Sequence, residues 1–361
     1  MSSCKISSSD LGAKSKKTKE SSDTAASPLD FEIAWSFSKT NWDPLTISPS
    51  PAGYSPSFFI RMKNDIRELA KDESSNIFVM PKGDFLASME AVILGPDGTP
   101  YEGGFFMFLI GCMPDYPISP PRVRFLTTAD GNVRFNPNLY KDGKVCVSTL
   151  GTWEGPPWTP AITLSTLLVT IQSLMTEEPL LNEPGFTKNS VSEDKIKLYN
   201  QFVQHETLRV AVVDNLRTHL KISDESPFKK VMVKNFVEHF DSYVARCESL
   251  MFLEGKKKNV FGARDMQFVP KTILAELHEL KTPVSSVYEN LKLDTITLSS
   301  IALEALQTKS GILIKSSSND EAQPSGSQDS INDLSPNESS ENDSESDYVF
   351  SDDNEENTTE S

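Results

Sequence analysis

The chain reads as an α+β protein, and three observations carry that reading. Four short β-type runs, at 77–80, 86–94, 105–112 and 122–126, follow one another with turn signals between them and no helical pattern. An amphipathic helical pattern precedes them and a broadly apolar one follows. From Ser192 onward the apolar spacing is helical throughout. Connections too short for a crossover helix imply an antiparallel meander rather than βαβ units.

Taken in order, residues 1–52 are rich in Ser, Thr and Lys and lack periodicity, the composition of a disordered arm. The lysines at 14, 16, 17 and 19 read as solvated charge, with nuclear import as the alternative. Trp35, Phe37 and Trp42 are unusual for a tail, and predict that part of the arm docks on the folded domain. Pro56 and Ser57 then open a helix to about Lys71. Its apolar face is Phe59, Met62, Ile66 and Leu69, and Lys63, Arg67 and Lys71 form an ordinary solvated stripe. After the strands, the prolines at 117, 120 and 121 impose a rigid loop.

Thr159, with Pro160 in the first turn, is the expected cap of the next helix. Leu164, Leu167, Leu168, Ile171, Leu174 and Met175 give that helix a broad face to cover the sheet, and it ends before Thr176. Glu177 and Glu178 read as exposed carboxylates at its end. Helices follow over 194–220 and 228–253, then a basic loop at 256–258 and a weaker helix before Pro283. The expected division is an arm at 1–52, a core at 53–212, a helical extension at 213–307 and a disordered acidic tail at 308–361. That tail cannot bury enough apolar surface to offset the entropy of ordering it.

Charge and cysteine usage narrow the function classes. The net charge is −16, but residues 316–361 hold 14 acidic and no basic residues, leaving about −2 for the rest. A near-neutral folded part lacks the basic surface that nucleic acid requires. Four scattered cysteines, Cys4, Cys112, Cys146 and Cys247, form neither a disulfide framework nor a zinc pattern, as in a reducing compartment. The four histidines show no metal spacing. The longest apolar run, 105–110, is far short of a membrane span, and the N-terminus lacks a signal-peptide core. A soluble protein of the cytoplasm and nucleus is expected.

The stretch at 134–161 concentrates the chemistry. A lone cysteine between Val145 and Val147 is ordinarily an inert core thiol. Here Asn138 lies eight residues upstream, fixed by Pro137 and brought back by a Lys-Asp-Gly turn at 141–143. A thiol beside an amide donor is the minimum equipment for acyl transfer through a thioester, a nucleophile and an oxyanion stabiliser.

The sequence Asn136-Pro137-Asn138, the segment 143–146 and Trp158-Thr159-Pro160-Ala161 resemble, in order, the active-site block of the ubiquitin-conjugating enzymes. Two departures stand out: Asn136 replaces the family's usual histidine, and the loop between Cys146 and Trp158 is longer. Both resemble one branch of large members, as does Arg-Val-Ala-Val-Val-Asp at 209–214, beyond where compact members end.

The resemblance implies the ubiquitin-conjugating fold: an N-terminal helix, a four-stranded antiparallel meander and C-terminal helices. It further implies that Cys146 takes ubiquitin as a thioester and that Asn138 stabilises the oxyanion. Glu177, or alternatively Glu178, would gate the incoming lysine. Arg61, Lys63 and Arg67 would contact an activating enzyme. Ile118, Pro160 and Ala161 would meet ubiquitin ligases, and Asn136 would brace the loop in place of histidine. Expected partners are ubiquitin, a tandem ubiquitin-like modifier, the noncanonical activating enzyme that serves both, ligases and protein substrates. No metal, nucleotide or organic cofactor is implied. The alternative reading is a catalytically silent binding module of the same fold. A cysteine protease is disfavoured, since nothing pairs Cys146 with a histidine.

Overall fold

The computed structural model describes residues 42–47, 53–71, 76–82, 86–222, 226–297 and 300–301. The expectations for the lysine cluster, Trp35, Phe37 and the acidic tail lie outside them. Helix α1 (Pro56–Lys71) leads into strands β1 (Ile77–Pro81), β2 (Ser88–Leu94), β3 (Phe105–Gly111) and β4 (Arg122–Phe125). They form one antiparallel sheet in sequence order, the meander that the short turns require. In α1 the buried stripe is Phe58, Met62, Ile66 and Leu69. Phe58 replaces the expected Phe59, because neighbouring aromatics 100° apart on a helix fit the pattern almost equally well.

The sheet is buried on both faces. Registered partners Val79, Ala91, Phe108 and Phe125 cross it on one face, and Phe78, Val92 and Met107 on the other. The first row joins a core with α1 and with α2 (Leu164–Gln172). The second joins a separate core made by the extension. Burial on both sides explains why β3 is apolar at every position rather than alternating.

One long helical run carries the chain from the first face to the second. It comprises α3 (Glu193–Glu206), a π-helical stretch (Thr207–Asp214) and α4 (Asn215–His219), and so passes through residue 212 without a break. The wide π turn buries Val210 and Ala211 in the first core and Leu208, Val212 and Val213 in the second. At its start His205 is fully buried, with Nδ1 2.8 Å from Glu206 and Nε2 accepting from the Val269 amide. Burial works against the Glu206 charge, but His205 and Arg209 outweigh it and hold the carboxyl below its ordinary value.

The second core is completed by α5 (Pro227–Glu238), α6 (Phe240–Glu248) and α7 (Pro270–Asn290). Two expectations are corrected here. The supposed basic loop is the first strand of a hairpin, β5 (Lys257–Val260) with β6 (Ala263–Gln267); its polar, mostly exposed residues carry no apolar alternation to read. Helix α7 runs through Pro283 instead of ending before it. That proline is exposed, so the lost hydrogen bond falls on the solvated side.

In the expected arm, residues 42–47 are docked. The Asp43 carboxylate is buried against Arg124, and the Arg124 guanidinium lies 5.7 Å from the centre of the Trp42 ring. All described residues belong to one compact unit. No described helix is long and apolar enough to cross a membrane, and no described cluster of His, Cys, Asp or Glu has the makings of a metal site.

Candidate functional site

The site is an irregular loop held by side-chain bonds to backbone. Gly143, at φ 91°, closes a turn in which its amide reaches Tyr140 O at 3.0 Å. A Cβ there would sit 2.8 Å from Phe125 O, so only glycine allows the turn to pair with β4. The returning chain brings Cys146 back alongside Asn138. The Cys146 amide donates to Asn138 O at 2.9 Å, and Asn138 Nδ2 donates to Cys146 O at 2.8 Å. Asn138 Oδ1 is buried without a hydrogen-bond partner.

Thr152 braces the far side: its hydroxyl donates to Val145 O at 2.7 Å and accepts from the Val147 amide at 3.0 Å. Asn136 is fully buried. Its Nδ2 donates to the Tyr101 hydroxyl at 2.9 Å and to Leu174 O at 2.8 Å, while Oδ1 accepts from the Asn138 amide at 2.9 Å. An asparagine at this position therefore ties the strand region, α2's exit and the Asn138 backbone together.

Cys146 is 2% exposed. Burial pushes its thiol above the ordinary cysteine value; Lys144 and Arg134 pull it down, Asp142 adds to the rise, and Tyr140 favours the thiolate. The net result is a mostly protonated thiol near neutral pH, suited to being loaded by exchange rather than to attacking any passing carbonyl. Burial also raises the Cys247 thiol, to about 11. Cys112, buried beside Asp65, is raised further.

The remaining predicted positions fall in three groups. Lys63 and Arg67 are exposed on α1. Arg61 is not free: it bonds Asp65 at 2.8 Å and donates to the carbonyls of Pro160 and Ile162, tying α1 to the segment that leads into α2. Asp65 in turn holds the Tyr116 hydroxyl. Ile118 is 76% exposed, and Pro160 and Ala161 are exposed too. Trp158 donates to Pro117 O at 2.8 Å, bracing the proline loop that carries Ile118.

Thr159 is not the helix cap. It accepts from the Ile162 amide in a turn, and Thr163 caps α2 by accepting from the Thr166 amide at 3.2 Å. Glu177 is exposed, while Glu178 pairs with Lys188 at 2.7 Å. Sequence reasoning passed over Thr152, Tyr140 and Arg134. Arg134 and Tyr140 border the motif, but no spacing rule connects them to a thiol.

A family model for the ubiquitin-conjugating enzyme matches residues 61–209, the span that includes the sheet and this loop. The chain belongs to the ubiquitin-conjugating enzyme family. Ubiquitin-conjugating enzyme E2 Z of Homo sapiens is 42% identical over 266 residues, covering 72% of this chain and 74% of that protein. Its Danio rerio counterpart is 43% identical over 244 residues, 67% of this chain and 74% of that one. The human dual conjugating enzyme and ligase BIRC6 is 38% identical over 189 residues, half of this chain and 4% of BIRC6.

Proposed function

We propose that this enzyme accepts ubiquitin from an activating enzyme as a thioester on Cys146 and passes it to substrate lysines with a ligase. The observation that carries the assignment is the reciprocal pair of bonds between Cys146 and Asn138, 2.9 and 2.8 Å. The Cys146 thiolate attacks the thioester carbonyl on the activating enzyme, whose own sulfur leaves as thiolate. A lysine amine then attacks the new thioester and loses its proton, the isopeptide bond forms, and the Cys146 thiolate departs.

The Asn138 amide group carries two N–H bonds. One is committed to Cys146 O, which fixes the group in place; the other serves the oxyanion of lysine attack. Glu177, exposed near the exit of α2, serves as the lysine gate. Lys63 and Arg67 meet the acidic side of the activating enzyme, and Ile118, Pro160 and Ala161 form the ligase-docking patch. Arg61 works from behind that patch by holding the Pro160 and Ile162 carbonyls. The branch resemblance of the active-site block and of residues 209–214 extends this proposal to a second cargo, a tandem ubiquitin-like modifier, and to charging by the noncanonical activating enzyme.

The test is loading with ubiquitin, ATP and each of the two ubiquitin-activating enzymes, read on non-reducing gels. A reductant-sensitive adduct absent from Cys146→Ala is expected, with the noncanonical enzyme the better donor. An adduct formed only by the other enzyme would overturn that partner assignment. In Asn138→Ala, loading persists while lysine discharge slows; equal loss of both steps would remove the oxyanion role.

A further inference from the structure

The tip of the extension's hairpin reaches the catalytic loop. Phe261 and Gly262 form the two-residue turn between β5 and β6, outside the span that matches the family model. The Arg134 guanidinium lies between two rings, 3.9 Å from the centre of Tyr140 and 5.0 Å from that of Phe261. Phe261 is backed by edge contacts with Phe186 and Tyr199, each at 6.1 Å. Gly262, at φ 80°, lies against the Arg134 stem so closely that a Cβ would be 3.2 Å from Arg134 Cδ.

What Arg134 holds makes the contact consequential. Its guanidinium donates to the carbonyls of Asn136 and Pro137, the two residues before Asn138. It also pairs with Glu183 at 3.9 Å. The residue on whose ring it stacks, Tyr140, donates its amide to Lys144 O at 3.0 Å, two residues before Cys146. Two short routes therefore run from the hairpin toward the reacting atoms: through the backbone to Asn138, and through Tyr140 to the segment at Lys144 that leads into Cys146.

We propose that the hairpin tip is a positioning element for the reaction: Phe261 and Gly262 clamp Arg134, and Arg134 holds Asn138 and Tyr140 in place around Cys146. The proposal rests on the thioester-carrier reading, since positioning matters only if Cys146 reacts. Phe261 touches neither substrate nor sulfur and acts through Arg134. A long polar side chain would otherwise sample several rotamers here, and small displacements of positioned groups are costly in rate.

The test uses the full chain with Phe261→Ala, Phe261→Tyr and Phe240→Ala, the last weakening the extension's core away from the hairpin. Two readouts are taken. The first is single-turnover discharge of loaded enzyme to free lysine across lysine concentrations. The second is the pH profile of iodoacetamide alkylation at the Cys146 peptide, followed by mass spectrometry without ubiquitin. Lys144, Arg134, Asp142 and Tyr140 are the charged or titratable groups acting on this thiol, so loosening Arg134 moves the profile to higher pH.

In Phe261→Ala, the maximal discharge rate falls about tenfold with half-saturating lysine unchanged, and the alkylation profile shifts upward. Phe261→Tyr restores both, and Phe240→Ala moves neither. An unshifted profile in Phe261→Ala, or the same shift in Phe240→Ala, overturns the clamp. If the unaltered enzyme takes no ubiquitin, the proposed function fails separately, and alkylation still decides the clamp.

Discussion

The two faces of the central sheet are both buried, yet they are built in opposite ways. The face toward the extension is closed by regular helices that contribute aromatic and aliphatic side chains, among them Phe228, Phe236, Tyr243, Ile273 and Leu277. The core on the other face shares its border with the loop at 134–161, which has almost no regular structure. That loop is held by polar bonds: Asn136 to Leu174 O, Asn138 to Cys146 O, Thr152 to Val145 O, Arg134 to Pro137 O. Apolar packing supplies stability without regard to direction. Directed hydrogen bonds fix where a nucleophile and a donor point. Substitutions on the two faces should therefore fail differently.

The sharpest contrast comes from the cysteines. Cys146→Ala should abolish adduct formation with native stability retained, whereas Cys247→Ala, in the extension's core, should still load. Adduct formation by Cys146→Ala would erase the distinction. Next in size is Phe236→Ala, which empties a fully buried ring site and should cost about 3–5 kcal/mol in chemical denaturation. A cost below 1 kcal/mol would show that the extension's core is loosely packed.

Asn138→Ala should do the reverse, leaving stability nearly unchanged and slowing lysine discharge by roughly 10²–10³-fold, the usual loss for an oxyanion donor. The alkylation rate of Cys146 should keep rising with pH beyond the point where an exposed cysteine levels off, because burial holds the thiol protonated. Levelling near neutrality would mean that Lys144 and Arg134 outweigh burial. Smallest is Trp42→Ala, which removes a ring from Arg124 and should cost about 0.5–1 kcal/mol in thermal or chemical unfolding.

This contrast also explains what was legible in the sequence. Strand positions emerged to within a residue or two because glycine and proline punctuate them and because burial on both faces makes runs such as Phe105–Gly111 continuously apolar. The pairing of Cys146 with Asn138 was legible because local turn chemistry sets their spacing. Contacts between distant segments were not. Nothing in Lys-Lys-Asn-Val-Phe-Gly-Ala-Arg marks a hairpin whose tip lands on Arg134, since its residues are mostly exposed and its partner lies more than a hundred positions away. Arg61, expected only as a contact for an activating enzyme, gave no sign of its tie to the site for the same reason; its partners at Pro160 and Ile162 lie on another segment. The helix cap moved from Thr159 to Thr163 because both residues are threonine and only the tertiary fold decides between them.

The central claim is that Cys146 carries the modifier. Intact mass measured after loading, for the unaltered chain and for Cys146→Ser, tests it most directly. The account predicts one ubiquitin added with loss of water on the unaltered enzyme, removed by a thiol reductant, and a reductant-resistant ester on the serine variant. A reductant-resistant adduct on the unaltered chain, or one that forms unchanged in Cys146→Ala, would contradict it.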